Sequence, residues 1–242
     1  MDAGHPARGV NIPRRNTDMD GVLIDSRSVI ERAWREAAQL FGRQINDEEI
    51  HVHIHGQPGP HTIRALFSDL AQSDQERVQA HVIHVENTAD YDLIPGVAKL
   101  IARLHQAGVT VGIVTSGWQY KIDRVIELLS AQSCFSVIVQ RDDVSRGKPY
   151  PDPYLLAAER LGIPASKTLV FEDAVSGVTS AATAGAYCIG IGGEELLNHG
   201  AKIAIPTFVN VELQLVEGGR RAILSCRQDH RVDIEISQYS SN

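Results

Sequence analysis

The sequence predicts an α/β fold, a doubly wound parallel sheet carrying a small helical insert, and three observations predict it. Short apolar runs alternate with helical patterns from Val109 to Ile191, the signature of strands joined by crossover helices. A clear helical pattern over Ser26–Gly42, then a weaker one over about Asn46–Glu86 broken by polar and Gly/Pro stretches, reads as an insert between Asp25 and about Leu93. Residues with chemistry recur where the apolar runs end, and such sheets hold ligands at the carboxyl ends of their strands. A chain of 242 residues suffices for one large domain, or for a core with a small insert. The expected division is a core of residues 1–25 and 94–210, a helical cap of 26–93 and an extension of 211–242.

Taken in order, residues 1–11 are a loose start and Asn11–Thr17 is the expected first strand. It is a poor one, with a proline, two arginines, an asparagine and a single strong apolar residue, Ile12, where a central strand is normally a continuous apolar run. Ser26–Gly42 is a helix: Val29, Ile30, Ala33, Trp34, Ala37, Leu40 and Phe41 recur at three- and four-residue spacing. Ser28 and Glu31 fit a capping box at its start, and Gly42 suits its stop. After Pro95-Gly96 come a helix over Ala98–Ala107, a strand over Val109–Thr115, a helix over Tyr120–Leu129 and a strand over Phe135–Val139. Asp152 and Pro153 open the next helix as cap and first position. Strands over Thr168–Phe171 and Tyr187–Ile191 flank a helix over Ser176–Ala184. Beyond Phe208, alternation at Val211, Leu213 and Leu215, a turn at Gly218-Gly219, and the sets Ala222, Ile223, Leu224 and Val232, Ile234, Ile236 predict one or two hairpins.

Composition removes several function classes. The formal net charge is -7 and no lysine or arginine run offers a phosphate-backbone footprint, so nucleic acid is not an expected partner. No apolar run reaches membrane-spanning length, and the first residues lack the apolar segment of a secretory signal. Cys134, Cys188 and Cys226 are few and scattered, against a disulfide framework or cysteine metal site. A cytoplasmic setting is expected.

The stretch Asp18-Met19-Asp20-Gly21 carries the chemistry. In extended backbone, side chains two apart share a side, so Asp18 and Asp20 face one centre, where their repulsion calls for a cation or a proton. Thr115-Ser116-Gly117, at the end of the next strand, offers hydroxyls and free amides to an anion. Arg146-Gly147-Lys148-Pro149 holds one lysine in a tight frame, and Glu172-Asp173 adds two carboxylates suited to a hard metal. Each also has a plain structural reading, as a turn or as the acidic start of a helix; their order, one at each strand end, favours a site.

With Gly147-Lys148-Pro149, Pro151-Asp152-Pro153-Tyr154 and Phe171-Glu172-Asp173-Ala174-Val175-Ser176-Gly177, the chain resembles the haloacid dehalogenase superfamily phosphatases with a helical cap after the first motif. The resemblance covers Asp18 to about Ile191. It implies a Rossmann-like core, Asp18 as nucleophile, Asp20 as general acid/base, and Ser116, Gly117 and Lys148 as phosphate-binding residues. It implies Mg2+ as cofactor, held by Asp18, Asp20, Glu172 and Asp173, and a small phosphorylated metabolite as partner. The resembled dehalogenases lack the second aspartate, so Asp20 argues against dehalogenation. The resembled sugar-phosphate mutases, such as beta-phosphoglucomutase, carry a histidine and a lysine where this chain has Ile30 and His55. Both departures favour hydrolysis of small sugar or polyol phosphates, with His55 and Gly56 as the cap's substrate contacts.

Two other readings belong beside it. His51, His53 and His55, with His61 nearby, would share a face in a strand and suit zinc, against a solvated cap surface as the plain alternative. A catalytically weak relative that binds phosphorylated ligands is the rival that the polar first strand motivates, since burying those charges costs several kcal/mol.

Overall fold

Arg14–Thr17 forms β1 in the computed structural model, which describes residues 14–216, 218, 221–227 and 230–235. The chain then passes β2 (Ile24–Asp25) and enters α1 (Arg27–Gln39), α2 (Asp47–His53), α3 (Gly59–Leu66) and α4 (Gln72–Thr88). It returns by β3 (Asp92–Leu93) and alternates through α5 (Val97–Gln106), β4 (Val111–Val114), α6 (Gln119–Leu128), β5 (Phe135–Val139), α7 (Asp152–Arg160), β6 (Thr168–Glu172), α8 (Val175–Thr183) and β7 (Tyr187–Ile191). A short β8 (Ile203–Ile205) precedes β9 (Glu212–Val216), β10 (Arg221–Arg227) and β11 (His230–Glu235).

The main sheet has the order β5-β4-β1-β6-β7-β8 with every pair parallel, the doubly wound architecture the sequence predicts. Its least strand-like segment lies at its centre. Arg15 sits between Val111 and Leu169, and Thr17 between Ile113 and Phe171. Helices α5 and α6 cover one face with Leu100, Ile101, Leu104, Ile122 and Val125; α7 and α8 cover the other with Tyr154, Ala157, Val178 and Ala181. Burying apolar faces on both sides is what makes a parallel sheet stable. The four helices between β2 and β3 have a separate core of Ala33, Trp34, Ala37, Ile50, Phe67, Val78 and Val82. Both passages between the two cores run through β2 and β3, which pair antiparallel (Ile24 with Leu93, Asp25 with Asp92).

Several local expectations shift. Helix α1 starts at Arg27 with Ser26 as N-cap and no side-chain cap bond, so Ser28 and Glu31 do not form the expected capping box. The box stands instead at Asn46 and Glu49, opening α2. In α7, Asp152 and Pro153 are the first two helical residues and Pro151 the N-cap; Asp152 pairs with Arg146 at 3.0 Å. Strand β8 has no local sequence signal: three apolar residues between Lys202 and Pro206 are too short to show a period. The expected terminal hairpins are a three-stranded antiparallel sheet, β11-β10-β9. It turns Ala222, Leu224, Cys226, Val232 and Ile234 into the core. Residues 1–11, with Ile12, Gly219 and Ile236, lie outside the described residues.

The polar centre strand has a visible cost. Arg15 is fully buried, and among the described residues none of its guanidinium nitrogens has a hydrogen-bond partner, nor does either polar atom of the Asn16 side chain. Burial pushes the Arg15 pKa down to about 9. A buried polar group without a partner costs roughly 1–3 kcal/mol. Arg15→Met is therefore expected to raise stability by an amount in that range, or about 2–4 °C in Tm per kcal/mol. Urea and thermal melts check this, and an unchanged or lower stability would mean that the guanidinium has an anionic partner in solution.

Candidate active site

The carboxyl end of β1 delivers Asp18, whose amide donates to the Phe171 carbonyl of β6 at 3.0 Å. The chain then reverses tightly: the amides of Leu23 and Ile24 both donate to the Met19 carbonyl, and that of Gly21 to the Ile24 carbonyl. Gly21 makes the reversal at φ +67°, and a Cβ there would lie 2.0 Å from Asp173 Oδ2. The second glycine of this kind is Gly177, where a Cβ would lie 1.9 Å from Glu172 Oε1. Two missing side chains thus make room for the two carboxylates at the end of β6.

Lys148 ties the cluster together. Its Nζ is 2.8 Å from Asp18 Oδ1, 2.5 Å from Glu172 Oε1 and 3.1 Å from the Val114 carbonyl. The Tyr154 hydroxyl donates to the same Glu172 oxygen at 2.7 Å. Burial works to lower the Lys148 pKa, and the charges of Asp18 and Glu172 outweigh it, so the lysine keeps its proton. Burial also pushes Asp18 up to about 7, against the pull of Lys148 and with help from the charges of Glu172 and Asp20. Asp173 rises well above the carboxylate range for the same reasons: burial first, then Glu172, Asp18 and Asp20. Carboxylates crowded beyond what one lysine offsets are the electrostatic mark of a cation site. Asp18, Glu172 and Asp173 each offer an oxygen within 4.8 Å of the others'. An all-oxygen, anionic donor set of this kind fits a hard divalent ion such as Mg2+.

Asp20 is held differently. Its Oδ1 accepts from Lys121 Nζ at 2.6 Å, and the same ammonium reaches Glu86 Oε2 at 2.8 Å. The other oxygen faces the turn after β4, where a Cβ on Gly117 would lie 3.8 Å from Asp20 Oδ2. In that turn the Gly117 amide donates to Thr115 Oγ1 at 2.9 Å, and Ser116 is exposed. The Asp20 carboxylate therefore lies apart from the three-carboxylate cluster.

The helical insert reaches the same place. The Gly56 carbonyl accepts from Ser176 Oγ at 2.6 Å, at the start of α8 just past Asp173. His55 Nε2 lies 2.8 Å from Glu31 Oε1. On the core side, the Arg141 guanidinium lies 5.6 Å from the ring centre of Trp118. The zinc reading finds no strand: His51 and His53 lie on helix α2, and His55 just after it. His53 and His61 face each other at 3.4 Å. Among the described residues, the group of three or more candidate ligands is the acidic one.

The residue that sequence reading passed over is Lys121. It falls within the expected helix over Tyr120–Leu129, four residues before the buried Val125 and beside Ile122. A lysine in line with an apolar stripe was the available signal.

A parallel sheet whose central strand ends in a lysine-bridged carboxylate cluster, under a helical cap, defines a class of hydrolase. Residues 17–191 match the haloacid dehalogenase-like hydrolase family, and the chain belongs to it. Hexitol phosphatase A of Escherichia coli K12 is 34% identical over 176 residues, 72% of this chain and 80% of the relative. Validoxylamine A 7'-phosphate phosphatase of Streptomyces hygroscopicus subsp. limoneus is 31% identical over 179 residues, 72% of this chain and 83% of that one. Among solved structures, CbbY from Rhodobacter sphaeroides in complex with phosphate superposes with a TM-score of 0.70 at 25% identity, over 82% of this chain and 96% of its own.

Proposed function

We propose that this protein is a Mg2+-dependent phosphatase of small sugar or polyol phosphates that works through an aspartyl-phosphate on Asp18. Its place among the phosphoric monoester hydrolases follows from the family and from relatives named as phosphatases. The observation that carries the mechanism is the division of labour between the two aspartates. Asp18 is bound by Lys148 beside Glu172 and Asp173, whereas Asp20 is bound by Lys121 and keeps one oxygen toward the Gly117 turn.

In this reading an Asp18 oxygen attacks phosphorus as the bond to the leaving alcohol oxygen breaks, giving an acyl phosphate. Protonated Asp20 gives its proton to the departing oxygen, then as carboxylate takes one from the water that attacks the acyl phosphate. Inorganic phosphate leaves and Asp18 is restored. Lys148 and Ser116 hold the phosphoryl oxygens where charge is concentrated, joined by the Gly117 amide when it exchanges Thr115 Oγ1 for the phosphoryl group. Mg2+, held by Asp18, Glu172 and Asp173 with Asp20 adjoining, would supply further charge neutralisation at those oxygens. His55 and Gly56 of the cap close over the alcohol portion of the substrate.

The test is phosphate release from a panel of hexitol, sugar and glycerol phosphates, with Mg2+ and with EDTA. Turnover with Mg2+ and its loss in EDTA are expected; equal rates in both would remove the metal from the reading. Interconversion of phosphate isomers without release would instead indicate a mutase, which Ile30 and His55 argue against. Mg2+ should also stabilise the fold, by about 2.7 kcal/mol at a hundred times Kd. Burial raises the Asp18 pKa to about 7, so below that pH binding a metal displaces a proton. Mg2+ affinity measured by titration calorimetry is expected to rise with pH up to about 7 and level off above it.

A further inference from the structure

The group of charges around Lys121 does more than join two parts of the chain. Lys121 lies in the first turn of α6 and is 1% exposed. Its ammonium binds Asp20 and Glu86 at once and lies 5.2 Å from the ring centre of Tyr91. Burial pulls its pKa down; the charges of Asp20 and Glu86 prevail and keep it cationic. Glu86 belongs to α4, the last helix before the return strand β3. Its main-chain oxygen accepts from the Tyr91 hydroxyl at 2.7 Å. On the next turn of α6, Arg124 donates to the Asn87 carbonyl and lies 3.7 Å from Asp90. Thus α6 is fastened to the end of the cap at two levels, and the inner fastening includes Asp20.

Resting on the phosphatase reading above, we propose that Lys121 is a positioning residue for Asp20. It pins Oδ1, which leaves Oδ2 turned to the Gly117 side, where the leaving oxygen of a bound ester departs. Glu86 anchors the ammonium from the cap, so the aim of Asp20 is set while the cap is seated. A lysine on a freely rotating stem gives no such aim; one held by two carboxylates and an aromatic face does.

A purely structural bridge and a positioning residue differ in one readout. A nitrophenolate departs from phosphorus without a proton, whereas an alkoxide needs one. Loss of Asp20's aim therefore slows alkyl esters selectively, while a loosened fold slows both alike. The quantity to compare is kcat/KM, which covers the steps up to phosphoryl transfer to Asp18. The substrates are p-nitrophenyl phosphate and whichever alkyl monophosphate of the panel the wild type turns over best. Lys121→Met is expected to lower kcat/KM for the alkyl ester at least about ten-fold more than for the aryl ester. Glu86→Gln, whose amide oxygen can still accept from Lys121 Nζ, keeps the anchor and the Lys121–Asp20 contact and should hold the alkyl-to-aryl ratio within about three-fold of wild type. If Lys121→Met alone does not fold, the double variant with Glu86→Gln removes the stranded carboxylate and is judged by the same ratio. Parallel losses on the two esters, or no loss on either, would overturn the positioning role while leaving the phosphatase reading intact. A wild-type protein that hydrolyses neither ester would overturn both.

Discussion

Asp18→Asn is expected to lower kcat on a small phosphate monoester by at least about a thousand-fold, with the protein still folded. An amide cannot form the acyl phosphate, and removing a nucleophile costs more than removing any group that assists it. The geometry explains why the fold should survive. Asp18 and Asn are nearly the same size, and the hydrogen bond from Lys148 can pass to the amide oxygen. The exchange also removes one charge from a cluster in which Glu172 and Asp20 already press on Asp18. Without metal, Tm should therefore stay level or rise. Rapid-quench measurement of phosphoprotein and a thermal melt check both halves. Full activity in the variant would move the nucleophile elsewhere.

Lys148→Met is expected to damage activity and stability together. It strips the shared cation from Asp18 and Glu172, and breaking a buried ion pair by removing one partner costs about 3–5 kcal/mol. The phosphoryl group also loses a fixed positive neighbour, worth on the order of a hundred- to a thousand-fold in kcat. The stability loss should depend on pH. Asp18 is already raised to about 7 with Lys148 present, and the substitution removes an influence that lowers it. A carboxyl whose folded pKa exceeds its unfolded one holds more protons when folded, so stability falls as pH rises through the folded value. The variant should accordingly regain stability from pH 8 to pH 6. Melts of equal depth across that range would show that another cation takes over.

The parts legible in the sequence were those with local signals. Phe135–Val139 and Tyr187–Ile191 are apolar runs of strand length bounded by turns, and they form strands at those bounds. The carboxylates of the candidate site could be read because Asp18 and Glu172-Asp173 stand where β1 and β6 end. What stayed hidden depends on distant pairing. Arg14-Arg15-Asn16-Thr17 contradicts strand propensity and is a strand because β4 and β6 flank it, a tertiary override of local preference. Lys121 and Glu86 are read together only once α4 and α6 are side by side. The two capping-box patterns, Ser28/Glu31 and Asn46/Glu49, fit the rule equally well, and only the second sits where a helix starts.

The place of β1 has a consequence for how the chain is made. Its partners are Val111 on one side and Leu169 on the other. On the ribosome, at about 5–20 residues per second, β1 waits roughly 5–20 s for the first and longer for the second. An apolar central strand would spend that interval as an unpaired, sticky edge. One reading Arg-Arg-Asn-Thr is carried by water until its neighbours arrive. The polarity that burdens the finished sheet is, during synthesis, a form of self-protection, and Asp18 at its end is not locked in place until both neighbours have been made.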